Sequence, residues 1–330
     1  MTAEEQQQVE EQVERLLSGQ GSEVTVCDVG LEQSKPATLR KNVTYIVCAV
    51  IFNEKEVLMV QEAKPDCYKQ WYLPAGRVEV GESLEEAMKR EVKEEAGFES
   101  EPVTLLLIQE QGPQWIRFIF LAKVTGGSLK SLSAADQESL QASWWDRQSE
   151  LQLRGRDILR LIESGLKYRL SPCHPVTLPL DLSCRHVVQR LVLVFVGAEE
   201  HIWVLLIRGT KLRQKTSPLY SLAFFLKTRL TMQSAYYDHD VNTLGVLSLQ
   251  HNGRQNGKTD GVCFNTLVAL TPDHVQRDED GRKVEWTPTG QPPRVEHPRY
   301  VWHEVQKQTL REKLLEKTRN AALVPVHSLY

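Results

Sequence analysis

The stretch Gly76-Arg77-Val78-Glu79-Val80-Gly81-Glu82-Ser83-Leu84-Glu85-Glu86-Ala87-Met88-Lys89-Arg90-Glu91-Val92-Lys93-Glu94-Glu95-Ala96-Gly97-Phe98 decides how this chain of 330 residues is read. Ser83, with Glu86 three residues on, makes a capping box, and Gly97 stands where a helix needs a left-handed stop. The spacing predicts a helix from about Leu84 to Ala96. Wound at about 100° per residue, it places Leu84, Ala87, Met88 and Val92 on one face, which must be the buried one. Glu91 and Glu95 fall within that face, Arg90 and Glu94 lie on its flank, and Glu85, Glu86, Lys89 and Lys93 turn to solvent.

Two carboxylates four residues apart, pointing where the apolar residues point, are costly to leave ionised and unpaired. They require a cation. Clustered carboxylate oxygens without His or Cys are hard ligands, suited to Mg2+ or Mn2+. A Glu-rich helix is more often a solvated face, and that reading suits Glu85 and Glu86. Helical phase excludes it for Glu91 and Glu95.

Upstream, the run from Val43 to Phe52 and the run from Glu56 to Val60 are rich in β-branched and apolar residues and are separated by Asn53-Glu54-Lys55, a hairpin signal. Downstream, Thr104–Glu110 and Trp115–Val124 read as two strands joined at Gly112-Pro113, and Arg156–Leu170 as a second helix. Strands, helix, strands, helix is an α+β arrangement rather than a βαβ repeat. Residues 1–40 combine a polar helix over Met1–Leu17 with a loose segment, and read as an appendage with little chemistry.

Residues 171–184, with Pro172, Pro175 and Pro179, read as a linker between a catalytic domain at 41–170 and a second domain at 185–330. In that second half the element order recurs in weaker form. Arg190–Val196 and Ile202–Ile207 make a strand pair, Val262–Leu270 matches Trp115–Val124, and Tyr300–Glu304 echoes Trp144-Trp145-Asp146. Nothing between Ile207 and Val262 resembles the acidic helix, and 250–261 and 272–299 read as loops. His186, His201, His239 and His251 show no metal-ligand spacing and are read as core or solvated.

Lys and Arg number 40 against 43 Asp and Glu, a net charge of −3. No global basic field draws the chain to a nucleic-acid polymer or an anionic membrane surface. The six cysteines, Cys27, Cys48, Cys67, Cys173, Cys184 and Cys263, contain no CxxC pair and read as free thiols of a reducing compartment. No apolar run reaches membrane-spanning length. A cytoplasmic, monomeric protein is the expectation.

Gly76, five residues, Glu82, seven residues, Arg90-Glu91-Val92, one residue, Glu94-Glu95, one residue and Gly97-Phe98 resembles the Nudix box, GX5EX7REUXEEXGU, at each fixed position. The lead-in Trp71-Tyr72-Leu73-Pro74-Ala75 is also similar. The resemblance implies a Nudix α/β/α sandwich with a mixed sheet over about Val43–Leu170, followed by a degenerate Nudix-like α+β domain without a box. It also implies site roles: the Gly76 carbonyl with Glu91 and Glu95 as metal ligands, and Glu94 as a further ligand or the base that activates water. Arg90, paired with Glu82, would orient the cluster. Gly76 reads equally as a tight-turn glycine.

The strand Glu56–Lys64, the Trp71–Pro74 segment and Trp115–Ala122 are similar to animal Nudix hydrolases that clear oxidised purine nucleotides. This implies Mg2+-dependent hydrolysis of 8-oxo-dGDP, 8-oxo-GDP and 2-hydroxy-dADP to the monophosphate and phosphate. Leu58 is then a candidate base contact or an ordinary core leucine. Trp115 and Phe118 stack on the purine or belong to the core, and Glu138 adds a carboxylate or is simply an exposed loop residue. Pro113, fifteen residues after Phe98, keeps ADP-ribose hydrolysis as an alternative. A nucleotide-binding regulatory protein is the alternative of another class.

Overall fold

A computed structural model describes residues 1–24, 35–110, 115–208, 220–221, 239–253, 259–272, 276–277, 283–284, 291–292, 300–320 and 322–328. The elements of the first half are helix α1 (Ala3–Leu17), strands β1 (Thr44–Asn53), β2 (Glu56–Glu62), β3 (Trp71–Tyr72) and β4 (Ala75–Arg77), helix α2 (Leu84–Ala96), strands β5 (Phe98–Glu110), β6 (Trp115–Gly127) and β7 (Ser139–Trp145), and helix α3 (Asp157–Leu170). Strands β8 (Val187–Val196), β9 (Ile202–Arg208), β10 (Tyr220–Ser221), β11 (His239–Gln250), β12 (Val262–Pro272), β13 (Gln276–Arg277), β14 (Lys283–Val284) and β15 (Tyr300–Glu304), helix α4 (Gln308–Asn320) and strand β16 (Val326–Ser328) follow. The chain divides into a first unit of Pro36–Arg185, His251–Gly261 and Val324–Tyr330, and a second of Met1–Lys35, His186–Gln250 and Val262–Leu323.

In the first unit β1 is the axis of a mixed sheet. It runs parallel to β6 from Thr44 opposite Trp115 to Ile51 opposite Ala122. Its other edge is shared: β4 pairs with its first half, Val47 opposite Gly76, and β2 with its end, Phe52 opposite Val57. This fork places the acidic helix, because β4 carries Gly76 beside the middle of β1 and the chain turns from there into α2. Strand β5 flanks β6, β16 adds a parallel edge strand at Ile108, and β7 pairs with β2.

Both faces of β1 are buried, as a strand covered on two sides requires. Cys48 and Val50 join Leu161 and Ile162 of α3 in one core cluster. The alternating residues Val47, Ala49 and Ile51 turn to the opposite face, where α2 packs. Helix α3 lies close: a Cβ on Gly165 would come 2.9 Å from the Phe52 ring and 3.0 Å from Val50.

Several boundaries differ from those read in the sequence. Strands β5 and β6 are longer, because the chain leaves Gly97 directly into the sheet; their Gly112-Pro113 junction lies outside the described residues. The segment read as a linker is docked, with Leu105 N donating to Thr177 O at 2.9 Å and Thr177 N to Thr104 Oγ1 at 2.9 Å. Residues around 251 and 260 are also part of this unit. Tyr45 Oη donates to Asp260 O at 2.7 Å, Leu39 N donates to Asp260 Oδ2 at 3.0 Å, and His251 is a buried histidine with its ring edge-on to Tyr45.

The second unit has the strand order β11-β12-β8-β9-β15, with β12 parallel to β8 and the other pairs antiparallel. Strand for strand and direction for direction this repeats β5-β6-β1-β2-β7, and α4 follows β15 as α3 follows β7. Among the described residues no helix lies between β9 and β12; residues 209–219 and 222–238 are outside them. The N-terminal helix is not an appendage: Val9, Val13, Leu16 and Leu17 share a core cluster with Val194, Leu267 and Leu314. Among the described residues no helix is long and apolar enough to cross a membrane.

Candidate active site

Helix α2 has the bounds its signals dictate. Ser83 Oγ accepts from Glu86 N, the Glu86 carboxylate accepts from Ser83 N, and Gly97 closes the helix at φ 83°. Leu84, Ala87, Met88 and Val92 are buried, and Glu91 and Glu95 are buried with them, at 7% and 4% exposure. The sequence therefore spends core positions on two carboxylates, and the question is what compensates them.

Arg90 compensates part of that charge. Its Nε and Nη2 donate to the two oxygens of Glu82 at 2.6 and 3.1 Å, and Nη1 donates to Glu91 at 2.8 Å and Glu94 at 2.9 Å. The Glu82 hydrogen bonds, more than any other contact, hold the guanidinium charged. Among the described residues the Glu95 carboxylate accepts only from the Ala75 amide, at 2.9 Å. Burial pushes its carboxyl up to about 8, against the Ala75 bond and with the Glu91 charge adding to the rise. Burial likewise raises Glu91, against the pull of Arg90.

Gly76 is not a turn glycine. It sits in β4, and a Cβ there would fall 2.0 Å from Glu91 Oε1. Only a residue without a side chain lets the main chain approach that carboxylate. Glu138 joins the cluster: single oxygens of Glu91, Glu94 and Glu138 lie within 4.8 Å of one another. An all-oxygen, acid-rich donor set with buried, under-compensated charge fits a hard divalent cation.

The loop that presents Glu138 is fixed by a residue the sequence reading did not single out. Lys130 is buried, and its Nζ donates to Glu94 O at 2.9 Å, Asp136 Oδ2 at 2.7 Å and Ser139 Oγ at 2.7 Å. Asp136 Oδ1 in turn accepts from the amides of Glu138 and Ser139, and Ser139 Oγ donates to Glu95 O at 3.0 Å. An ammonium at the last carbonyls of α2 also suits the negative end of the helix. No spacing rule links Lys130 to the box.

The other candidates separate. Leu58 has no exposed surface and lies opposite Trp144 in the β2–β7 ladder, so it is a core leucine and not an accessible base contact. Phe118 is fully buried, edge-on to Tyr45 at 5.7 Å. Trp115 is exposed, with the Arg77 guanidinium 5.3 Å above its ring, on the wall of a cavity of about 430 Å³ that Arg40 and Tyr45 also line. Pro113 lies outside the described residues. His174 and His251 are buried single histidines, and no metal-binding group of residues among those described includes them.

The NUDIX domain model matches residues 43–161. The chain is 49% identical over 333 residues to the 8-oxo-dGDP phosphatase NUDT18 of Danio rerio, covering 97% of this chain and 98% of that protein. It is 41% identical to the Homo sapiens protein of the same name, covering 94% and 96%. An ADP-ribose pyrophosphatase of Methanocaldococcus jannaschii is 30% identical over 105 residues, 30% of this chain and 60% of that protein. The similarity to the two vertebrate proteins runs past the matched domain through both units, and this chain belongs to the Nudix hydrolase family.

Proposed function

We propose that the first unit hydrolyses oxidised purine nucleoside diphosphates, 8-oxo-dGDP, 8-oxo-GDP and 2-hydroxy-dADP, to the monophosphate and inorganic phosphate, keeping damaged precursors out of the nucleotide pool. The observation that carries this reading is the meeting of Glu91, Glu94 and Glu138 oxygens beside the buried Glu95, in a chain whose near-full-length relatives are named 8-oxo-dGDP phosphatase. Glu91, Glu95 and the Gly76 carbonyl are the proposed ligands of Mg2+, with Mn2+ as a substitute. A divalent cation supplies charge neutralisation on the diphosphate oxygens and makes a bound water more acidic.

Each residue has a task within that scheme. Glu94 is exposed at 44% of its side chain and reaches bulk water, which suits it to accept a proton from the attacking water or to add a ligand. Arg90, fixed by Glu82, holds Glu91 and Glu94 together through one nitrogen and orients them. Glu138 is presented by the loop that Lys130 anchors. The repeated strand order supports reading the second unit as a degenerate Nudix-like domain without a box. Among the described residues Cys48, Cys67 and Cys173 are free thiols, which suits a reducing compartment such as the cytosol.

The test is phosphate release with Mg2+ from 8-oxo-dGDP, 8-oxo-dGTP, dGDP and ADP-ribose, using wild type and Glu95→Gln. The expected result is preference for 8-oxo-dGDP and loss of activity in the variant. Preference for ADP-ribose overturns the substrate, activity on no nucleotide favours a binding protein, and an unchanged rate in Glu95→Gln removes the metal assignment.

A further inference from the structure

Glu62, at the end of β2, is a buried carboxylate that none of the roles above uses; its side chain is 6% exposed. Strand alternation gives its direction. Val57 and Met59 belong to the cluster on the α3 side of the sheet. Leu58, Val60 and Glu62 therefore turn to the side where α2 packs on β2. The register with β7 sets Glu62 opposite Ser139, whose hydroxyl is bonded to the Glu95 carbonyl. The charge of Glu62 reaches Glu95 and adds to the rise of its carboxyl.

Its two oxygens are not equivalent. Oε1 accepts from Arg154 Nη1 at 2.6 Å. Among the described residues Oε2, also buried, has no hydrogen-bond donor, and Lys64 Nζ stands 3.8 Å away, too far to donate. A buried acceptor left unmade costs about 1–3 kcal/mol. An Arg–carboxylate pair is frequently two-pronged and would satisfy both oxygens; here Arg154 takes only one.

We propose that Glu62 is a further carboxylate supporting the cation site, positioned by Arg154 and Lys64, which acts from behind Glu95 and Ser139 as an outer partner of the ligands. This rests on the cation-dependent reading given under Proposed function. The competing explanation is a purely structural ion pair between Glu62 and Arg154. Glu62→Gln separates the two, because an amide oxygen still accepts from Arg154 while the free acceptor is lost.

The experiment is a Mn2+ titration of the full chain followed by electron paramagnetic resonance, with melting curves taken without cation. The variants are Glu62→Gln, Arg154→Met and, as a control for charge alone, Asp66→Asn, an exposed carboxylate in the next turn. Glu62→Gln is expected to weaken Mn2+ binding roughly 10-fold with little change in melting, as outer partners of metal sites do. Asp66→Asn should stay within about twofold of wild type, since exposed charges are largely screened. Wild-type affinity in Glu62→Gln, with Glu62→Gln and Arg154→Met both melting early, overturns the proposal and leaves a structural pair. Equal weakening by Asp66→Asn overturns it too, in favour of a general charge effect. A wild-type chain that binds no Mn2+ overturns the underlying cation reading instead.

Discussion

The backbone of Gly253 lies against the main chain of Glu82: a Cβ at residue 253 would fall 1.5 Å from the Glu82 carbonyl oxygen. Glu82 is the residue that grips Arg90 at two points, so the loop following β11 backs the box from behind. Gly253→Ala must displace backbone, since no flexible side chain is there to yield. We expect a stability loss of about 1–3 kcal/mol from overpacking. The shift should reach Arg90 and lower kcat on 8-oxo-dGDP several-fold, with KM nearly unchanged. Steady-state kinetics and a melting curve check it; unchanged values for both would show that the loop moves aside freely.

Gly76→Ala tests the approach of β4 to Glu91. The added methyl would sit 2.0 Å from Oε1 and 2.1 Å from the carboxylate carbon, so the side chain of Glu91 must rotate away. A side chain can move more cheaply than backbone, and the fold should survive. Cation binding and turnover should fall by 10-fold or more, the usual consequence of displacing a metal ligand or its support. A variant that melts normally yet binds Mn2+ like wild type would show that Glu91 is not needed in its observed position.

The buried carboxyls predict a pH dependence of stability with a definite sign. Burial first, then the Glu91 charge, hold the Glu95 carboxyl up at about 8, while in an unfolded chain it titrates near 4.3. Between those values the folded chain binds more protons than the unfolded one, so stability falls as pH rises. Glu91, also raised by burial, acts in the same direction. Without divalent cations the melting temperature should drop by several degrees from pH 5 to pH 8. Added Mg2+ should reverse the drop by replacing the proton, and Glu95→Gln should flatten it. Melting curves at five pH values are sufficient, and the same slope in wild type and Glu95→Gln would rule the group out.

The catalytic helix was legible because each of its signals is local. Ser83 and Glu86 cap it, Gly97 ends it, and helical phase alone turns Glu91 and Glu95 inward. The mixed sheet was less so, since the parallel pairing of β1 with β6 joins segments far apart in sequence. Lys130 and Gly253 were invisible for the same reason: each acts through a contact with the box that no periodicity encodes. Glu62 carries a signal of its own, as Leu58, Val60 and Glu62 share one side of an alternating strand. Leu58 shows the opposite limit, where resemblance marks a position but cannot say that packing buries it.

Lys130 should matter more than a lysine in a Gly-Ser loop ordinarily does. Its ammonium is the hub joining the end of α2 to Asp136 and Ser139, and replacing it by Met leaves the buried Ser139 hydroxyl and the Glu94 carbonyl without their donor. A cost of about 1–3 kcal/mol is expected for such orphaned groups. The loop bearing Glu138 should then exchange its amide hydrogens faster, and Glu138→Gln should add little further loss of activity. Independent, fully additive effects of Lys130→Met and Glu138→Gln would show that the lysine supports the fold and not the carboxylate.

Glu10 of α1 does for the second unit what sequence reading denied to the N-terminal segment. Its Oε1 accepts from His303 Nε2 at 3.0 Å and Gln306 N at 2.6 Å, and Oε2 accepts from Lys307 N at 3.0 Å. Those amides stand just before α4, among the donors a helix start leaves unpaired, so one helix supplies the capping carboxylate of another. Glu10→Ala removes the acceptor from all three donors and should cost about 1–3 kcal/mol, with faster amide exchange in both α1 and α4. Turnover of 8-oxo-dGDP at low temperature should stay near wild type, because no residue of the box is touched. If Glu10→Ala melts with the wild type, the apolar contacts of Val9, Val13 and Leu16 suffice to dock α1, and the carboxylate merely follows the helix into place.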